Sequence, residues 1–293
     1  MTGDLSDLVD PDLRQRFLHP VAGMGPVWRG PWSGDVDEVT PAGGPVLRRY
    51  RPAGAAPDGP VALFVHGGGF TAGTLEQFDP QCIRYAQQAH STVVSVGYRL
   101  APAHPFPAAV DDCDAAWTWL RDTGIDAAAL IGSSAGAAIA AGLALRLRDR
   151  ADPLRPRLLL LHAPVLDDRH DTASSHQITD LRTWHRAASQ AAWRAYLGAL
   201  EDIPAQAAPA RAADLTGLPP TCLVVGELEP NRDETLQFAA RLAAAGVRTE
   251  LHLYPGAYHG FDIKDPDSAP GRASLDAQAA ALARALSAGK EPA

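Results

Sequence analysis

Short apolar runs alternate with longer Ala-rich stretches along most of this chain. The runs are VALFVH (61–66), TVVSVGY (92–98), AALIG (128–132), RLLLLHAP (157–164), TCLVVG (221–226) and TELHLYP (249–255). Each is short and rich in β-branched or leucine side chains, which predicts strands. Between them, apolar residues recur at helical spacing from Ala108 to Asp122, Ala135 to Arg150, Arg232 to Ala245 and Arg272 to Ser287. Strands joined by crossover helices predict an α/β chain with an open, mostly parallel sheet covered on both faces. Two regions break the alternation. Residues 1–44 are rich in Pro, Gly and Trp, and residues 166–215 carry a helix-like stretch, ITDLRTWHRAASQAAWRAYLGAL. The expected organisation is therefore a core of 45–165 and 216–293, with 1–44 and 166–215 laid over the sheet as a cap.

Composition narrows the function classes. The chain has 293 residues and a formal charge of -8 without any Lys/Arg run. Nucleic acid is therefore an unsuitable partner, because its binding needs clustered cations to neutralise phosphates. The amino end, MTGDLSDLVDPDLRQRF, has neither the basic start nor the apolar centre of a signal peptide, and no apolar run is long enough to cross a bilayer. A soluble, cytoplasmic protein without a membrane partner is expected. Cys82, Cys113 and Cys222 lack paired spacing and read as core thiols. No residue pattern decides between a monomer and a homodimer.

In an open parallel sheet, chemistry gathers where strands end. After AALI comes Gly132-Ser133-Ser134-Ala135-Gly136, a G-x-S-x-G turn in which the middle serine sits at a sharp strand-to-helix bend. This register selects Ser134, predicts positive φ there, and requires glycine at 132 and 136 because a side chain would strike backbone. After VALFV comes His66-Gly67-Gly68-Gly69-Phe70, whose unhindered amides suit a developing oxyanion. Gly67 and Gly68, with the amide of Ala135, are the expected donors. A rival reading takes Gly67-x-Gly69-x-x-Ala72 as a dinucleotide fingerprint, with Arg99 toward a 2′-phosphate, but the acidic ribose partner is missing and APAHPFP suits a rigid loop. No cofactor is expected. His259, in YPGAYHGFD, follows the last run, late enough for the order nucleophile, acid, histidine. The acid lies among Glu227, Glu229 and Asp233 in VVGELEPNRDE. His170 and His176 in RHDTASSH lack the further ligands of a metal site, and no metal is expected.

The combination of HGGGF, YRLAPAHPFPAA, GSSAG and HGF resembles the hormone-sensitive-lipase-like family of α/β-hydrolase esterases, over almost the whole chain after Val46. The resemblance implies an α/β-hydrolase fold, a mostly parallel central sheet flanked by helices, with a helical cap. It also implies a serine carboxylesterase for short- to medium-chain acyl esters. The family's D-P-L-R-D-E motif falls on Glu229-Pro230-Asn231-Arg232-Asp233-Glu234, so the resemblance puts the acid at Glu229, as glutamate where the family has aspartate. Ser133, where the family has Asp or Thr, and Ala103, where it has Glu, are further departures. The resulting expectation is Ser134 as nucleophile and His259 as base, oriented by Glu229. Gly67, Gly68 and Ala135 form the oxyanion hole, and the partner is a small-molecule ester. An amidase or acyltransferase on the same residues and a non-catalytic ligand receptor are the alternatives. Trp184, Trp193, Tyr196, Trp28 and Trp32 are candidate pocket walls, and Arg182, Arg186 and Arg194 are candidates to attract an acidic substrate.

Overall fold

A computed structural model of the protein describes residues 5–15 and 31–287. Its centre is an eight-stranded sheet in the order β1-β2-β4-β3-β5-β6-β7-β8. The strands are β1 Gly34–Val39, β2 Val46–Pro52, β3 Val61–Val65, β4 Thr92–Gly97, β5 Ala128–Ser133, β6 Leu159–His162, β7 Thr221–Leu228 and β8 Thr249–Tyr258. From β4 to β8 all neighbours run parallel, and β1 and β2 are antiparallel additions at one edge. All six strands expected from the apolar runs are present. In β3 every residue is buried, and successive side chains alternate between two apolar clusters: Leu63 and Val65 face one side, Ala62 and Phe64 the other. A strand buried on both faces shows a continuous apolar run.

Helices cover both faces. Helices α2 (Ala108–Asp122) and α3 (Ala135–Asp149) pack on one side, and α1 (Asp79–Ala89) and α8 (Ala269–Ser287) on the other. Helix α6 (Arg232–Ala244) joins β7 to β8, a short α7 (Phe261–Lys264) follows β8, and α4 (Ala173–Gln177) and α5 (Arg186–Leu197) lie between β6 and β7. Small residues let α3 come close to its neighbours: a Cβ on Gly142 would stand 2.1 Å from the Gln206 carbonyl oxygen.

Three elements depart from the expectation. Gly34–Val39, assigned from sequence to a covering segment of residues 1–44, is the edge strand of the sheet. Its partner β2 reads VLRRYRP, and the two are held by charge: Asp37 opposes Arg49 and Glu38 opposes Arg48, each as an ion pair. Cross-strand charge pairs give a strand no apolar signature. Helix α1 was hidden in DPQCIRYAQQA for the same reason, since its buried face includes Gln81 and Arg84 beside Cys82, Tyr85 and Ala86. Within 178–200 only Arg186–Leu197 is a long helix, because Asp180 engages the Arg182 side chain and backbone in a turn and His185 caps the helix start at Ala188.

Candidate active site

Ser134 stands between β5 and α3 with φ 54 and ψ −120, the sharp bend the sequence predicts. Its glycine neighbours have a steric cause. A Cβ on Gly132 would lie 2.5 Å from Ala137 Cα, and one on Gly136 would lie 2.2 Å from the Val65 carbonyl oxygen. The backbone is also tied down, since Ser134 N–H donates to the His162 carbonyl at 2.8 Å and Ala137 N–H donates to the Ser134 carbonyl at 3.0 Å. Strain of this kind persists only when the surroundings over-determine it.

Ser134 Oγ lies 2.9 Å from His259 Nε2, and His259 Nδ1 lies 2.6 Å from Glu229 Oε2. A fully buried Glu229 receives the Gly226 amide at 2.7 Å on its other oxygen and the Asn231 side-chain amide at 3.2 Å. The strand ends bring acid and imidazole together. The β7–β8 register shifts between Gly226 and Leu228, so that Leu228 pairs with Tyr258, and a Cβ on Gly226 would stand 2.4 Å from the Ala257 carbonyl oxygen. The residue after Leu228 is therefore delivered beside the residue after Tyr258. The two other candidate acids have different work. Glu227 accepts the Gly256 amide at 2.8 Å, shaping the turn before His259, and Asp233 accepts the Ser174 amide at 2.7 Å.

The glycine loop borders Ser134 directly. A Cβ on Gly67 would lie 3.1 Å from Ser134 Cβ, and Gly68, Gly69 and Phe70 have φ of 119, 59 and 64. Among the described residues, the amides of Gly67, Gly68 and Ala135 donate to no protein acceptor. The loop is held from beneath. Tyr98 donates to the His66 carbonyl at 2.8 Å, the Ala101 amide donates to the Phe70 carbonyl at 3.0 Å, and the His66 ring stacks on Tyr98 at 4.2 Å. Burial pushes the His66 imidazole down to about 4, so the loop is supported by a neutral ring. The dinucleotide reading finds no support in this loop. No helix opens after Ala72, since α1 begins only at Asp79, and Arg99 is engaged by Asp112 at 2.8 Å.

A match to the α/β-hydrolase fold family spans residues 62–263. The esterase LipI of Mycobacterium tuberculosis is 39% identical over 232 residues, 75% of this chain and 72% of LipI. The ethyl acetate hydrolase of Pseudomonas putida is 32% identical over 228 residues, covering 73% of this chain and 70% of its own. The crystal structure of esterase LipW from Mycobacterium marinum superposes with a TM-score of 0.83 at 37% identity, covering 97% of this chain and 98% of LipW. The chain belongs to the hormone-sensitive-lipase-like α/β-hydrolase esterases.

In this esterase the aromatic residues of 166–215 divide into two groups. Trp193 and Tyr196 are buried packing: Phe70 of the glycine loop stacks on Tyr196 at 4.1 Å and meets Trp193 at 4.9 Å. Trp184 lies instead over His259, with ring centroids 5.7 Å apart, and a Cβ on Gly69 would stand 3.2 Å from its Cη2. Trp32 packs against the apolar cluster that holds α1 and α8, and Trp28 lies outside the described residues. The arginines do not converge on the esterase's serine. Arg182 is paired with Asp180 at 2.6 Å, Arg186 contacts His176, and Arg194 is exposed. His170 bonds Ser189 at 2.8 Å. Among the described residues, the group with metal-ligand character is Cys222, Glu250 and His252, at the opposite strand ends from Ser134, and Arg284 holds Glu250 at 2.6 Å.

Sequence reasoning missed one set of residues at the site. Ser133 Oγ lies 3.1 Å from His162 Nδ1, and His162 Nε2 lies 2.7 Å from Asp262 Oδ1. Their signal was present as HAP at the end of β6 and HGFD after β8, but nothing in the spacing says that they meet.

Proposed function

We propose that this esterase is a serine carboxylesterase acting on short- to medium-chain acyl esters through Ser134, His259 and Glu229. The observation that carries this reading is the continuous hydrogen-bonded chain from the Ser134 hydroxyl through the His259 ring to a buried carboxylate. His259 Nε2 takes the Ser134 proton as Oγ attacks the ester carbonyl carbon, and the negative charge moves to the carbonyl oxygen. The amides of Gly67, Gly68 and Ala135 receive that oxyanion, and losing one such donor typically costs about 3–4 kcal/mol of barrier. On collapse, His259 returns the proton to the departing alkoxide, leaving an acyl-Ser134. Water repeats the attack with His259 again as base and releases the acid. Glu229 holds the ring in the tautomer with Nδ1–H and balances its transient positive charge. Only the neutral ring can serve as the base.

Labelling with a fluorophosphonate probe tests the reading. A single adduct on Ser134, absent from Ser134→Ala, is expected, and an unlabelled folded protein would leave only the receptor alternative. A matched panel of esters, amides and alcohol acceptors separates hydrolysis of esters from amidase or acyltransferase action. The cap position of Trp184 over His259 supports short acyl chains as preferred. Trp184→Ala is accordingly expected to raise the kcat/KM ratio of octanoate to butyrate p-nitrophenyl esters by roughly tenfold. An unchanged ratio would remove Trp184 as a wall. The three thiols Cys82, Cys113 and Cys222 are free and buried, which supports a reducing, cytoplasmic setting.

A further inference from the structure

We propose that Ser133, His162 and Asp262 form a second, buried relay behind the reacting serine, in which His162 is a positioning residue that locks the Ser134 turn and sets the acid edge of the pH–activity profile. The proposal rests on the reading of Ser134, His259 and Glu229 as the reacting set.

The parity of the sheet separates the two adjacent serines. Ser133 is the register partner of His162 across β5 and β6, and both side chains point to the α1/α8 face of the sheet. Ser134 lies one residue beyond the strand and faces His259. His162 thus clamps the turn at two points: its carbonyl holds the Ser134 amide at 2.8 Å, and its ring reaches the Ser133 hydroxyl at 3.1 Å. Asp262, at the far end of the relay, takes the Ser274 hydroxyl at 2.6 Å and the Gln278 amide at 2.8 Å in addition to the ring. Gln278 in turn accepts the Tyr85 hydroxyl at 2.5 Å, so the relay is braced from α1, α7 and α8.

Three donors at such distances mark Asp262 as a carboxylate, and both Asp262 and His162 are almost wholly enclosed. A lone buried anion is costly, whereas a hydrogen-bonded pair is tolerated, so the ring carries the balancing proton. Burial works against that proton, but the charge and hydrogen bond of Asp262, together with the charge of Glu229, outweigh it and leave the proton affinity of His162 raised. The groups facing the relay are Glu229 after β7, Asp262 on α7, and, toward Asp262, Arg84 and Tyr85 on α1 and Tyr254 on β8. Lys264 on α7 acts on Glu229. The charge on the ring therefore interacts with that of Glu229, the carboxylate bonded to His259 Nδ1, and offsets part of its field. Removing that charge leaves more of the negative field of Glu229 acting on the reacting imidazole.

The test compares the full chain with His162→Gln and with the His162→Gln/Asp262→Asn pair. Glutamine keeps a donor and an acceptor but no charge. The acid edge of kcat/KM is expected to move up by about half a pH unit in His162→Gln. It returns most of the way in the double variant, where the unbalanced Asp262 charge is also gone. Nitrogen NMR of the unaltered protein, with His162 identified by its displacement in Ser133→Ala, is expected to show both ring nitrogens protonated at pH 7. A neutral His162 ring, or a folded His162→Gln enzyme whose profile is scaled down without moving, would overturn the proposal. If His162→Gln does not fold, the NMR result on the unaltered chain decides. Failure of the relay leaves the dependence on Ser134 intact, whereas an active Ser134→Ala enzyme would sink the underlying reading whatever the state of His162.

Discussion

Ser134→Ala is expected to lower kcat for a short-chain p-nitrophenyl ester about a millionfold, close to the loss seen when a nucleophile is removed from a serine hydrolase. Ser133→Ala keeps most of the turnover. The two hydroxyls are adjacent in sequence but lie on different sides of the strand end, and Ser134 is the one that reaches the His259 ring. The cost of Ser133→Ala appears in stability instead. It leaves the buried His162 Nδ1 without its hydroxyl partner, a loss of about 1–3 kcal/mol visible as a lower melting temperature. Steady-state kinetics and thermal unfolding of the two variants measure both effects, and activity lost through Ser133 rather than Ser134 would move the nucleophile by one residue.

Glu229→Gln is expected to reduce kcat by about 10,000-fold, while Glu227→Gln reduces it only a fewfold. Glu227 lies at the end of β7 and Glu229 immediately follows the strand, and the structure separates them by what they hold. Glu229 is enclosed and bonded to the ring nitrogen that faces away from Ser134. A glutamine there can offer its NH₂ to that nitrogen, which favours the tautomer with the proton on Nε2 and so disables the base. Glu227 fixes the Gly256 amide and acts only through the backbone before His259. Glu229→Asp falls between the two, because the shorter side chain must bridge a gap set by the β7–β8 register. Equal losses from the Glu227 and Glu229 substitutions would show that the strand end, rather than one carboxylate, carries the effect.

Much of the architecture was legible because buried parallel strands have to be apolar along their length. The six runs from VALFVH to TELHLYP marked β3 to β8 within a few residues. The edge was not legible. In β1 and β2 the stabilising contacts are Asp37 with Arg49 and Glu38 with Arg48, and charge pairs across strands look like loop sequence until the partner is known. Helix α1 hid likewise behind a polar sequence whose buried side includes Gln81 and Arg84.

The sequence by itself determined the local devices: the glycine-framed Ser134 turn, the Gly67–Gly69 loop and the late His259, each defined by steric rules within a few residues. The G-x-S-x-G register already pointed to Ser134 and the motif resemblance to Glu229; tertiary structure supplied how Glu229 reaches the His259 ring, what Ser133 bonds instead, and which aromatic residue covers the ring. The β7–β8 register shift is what delivers Glu229 to the ring, and the partners of Ser133 are His162 and Asp262, which arrive from positions 29 and 129 residues away from it. Local geometry depends on near neighbours in the chain, but the meeting of distant side chains depends on how every strand and helix between them packs.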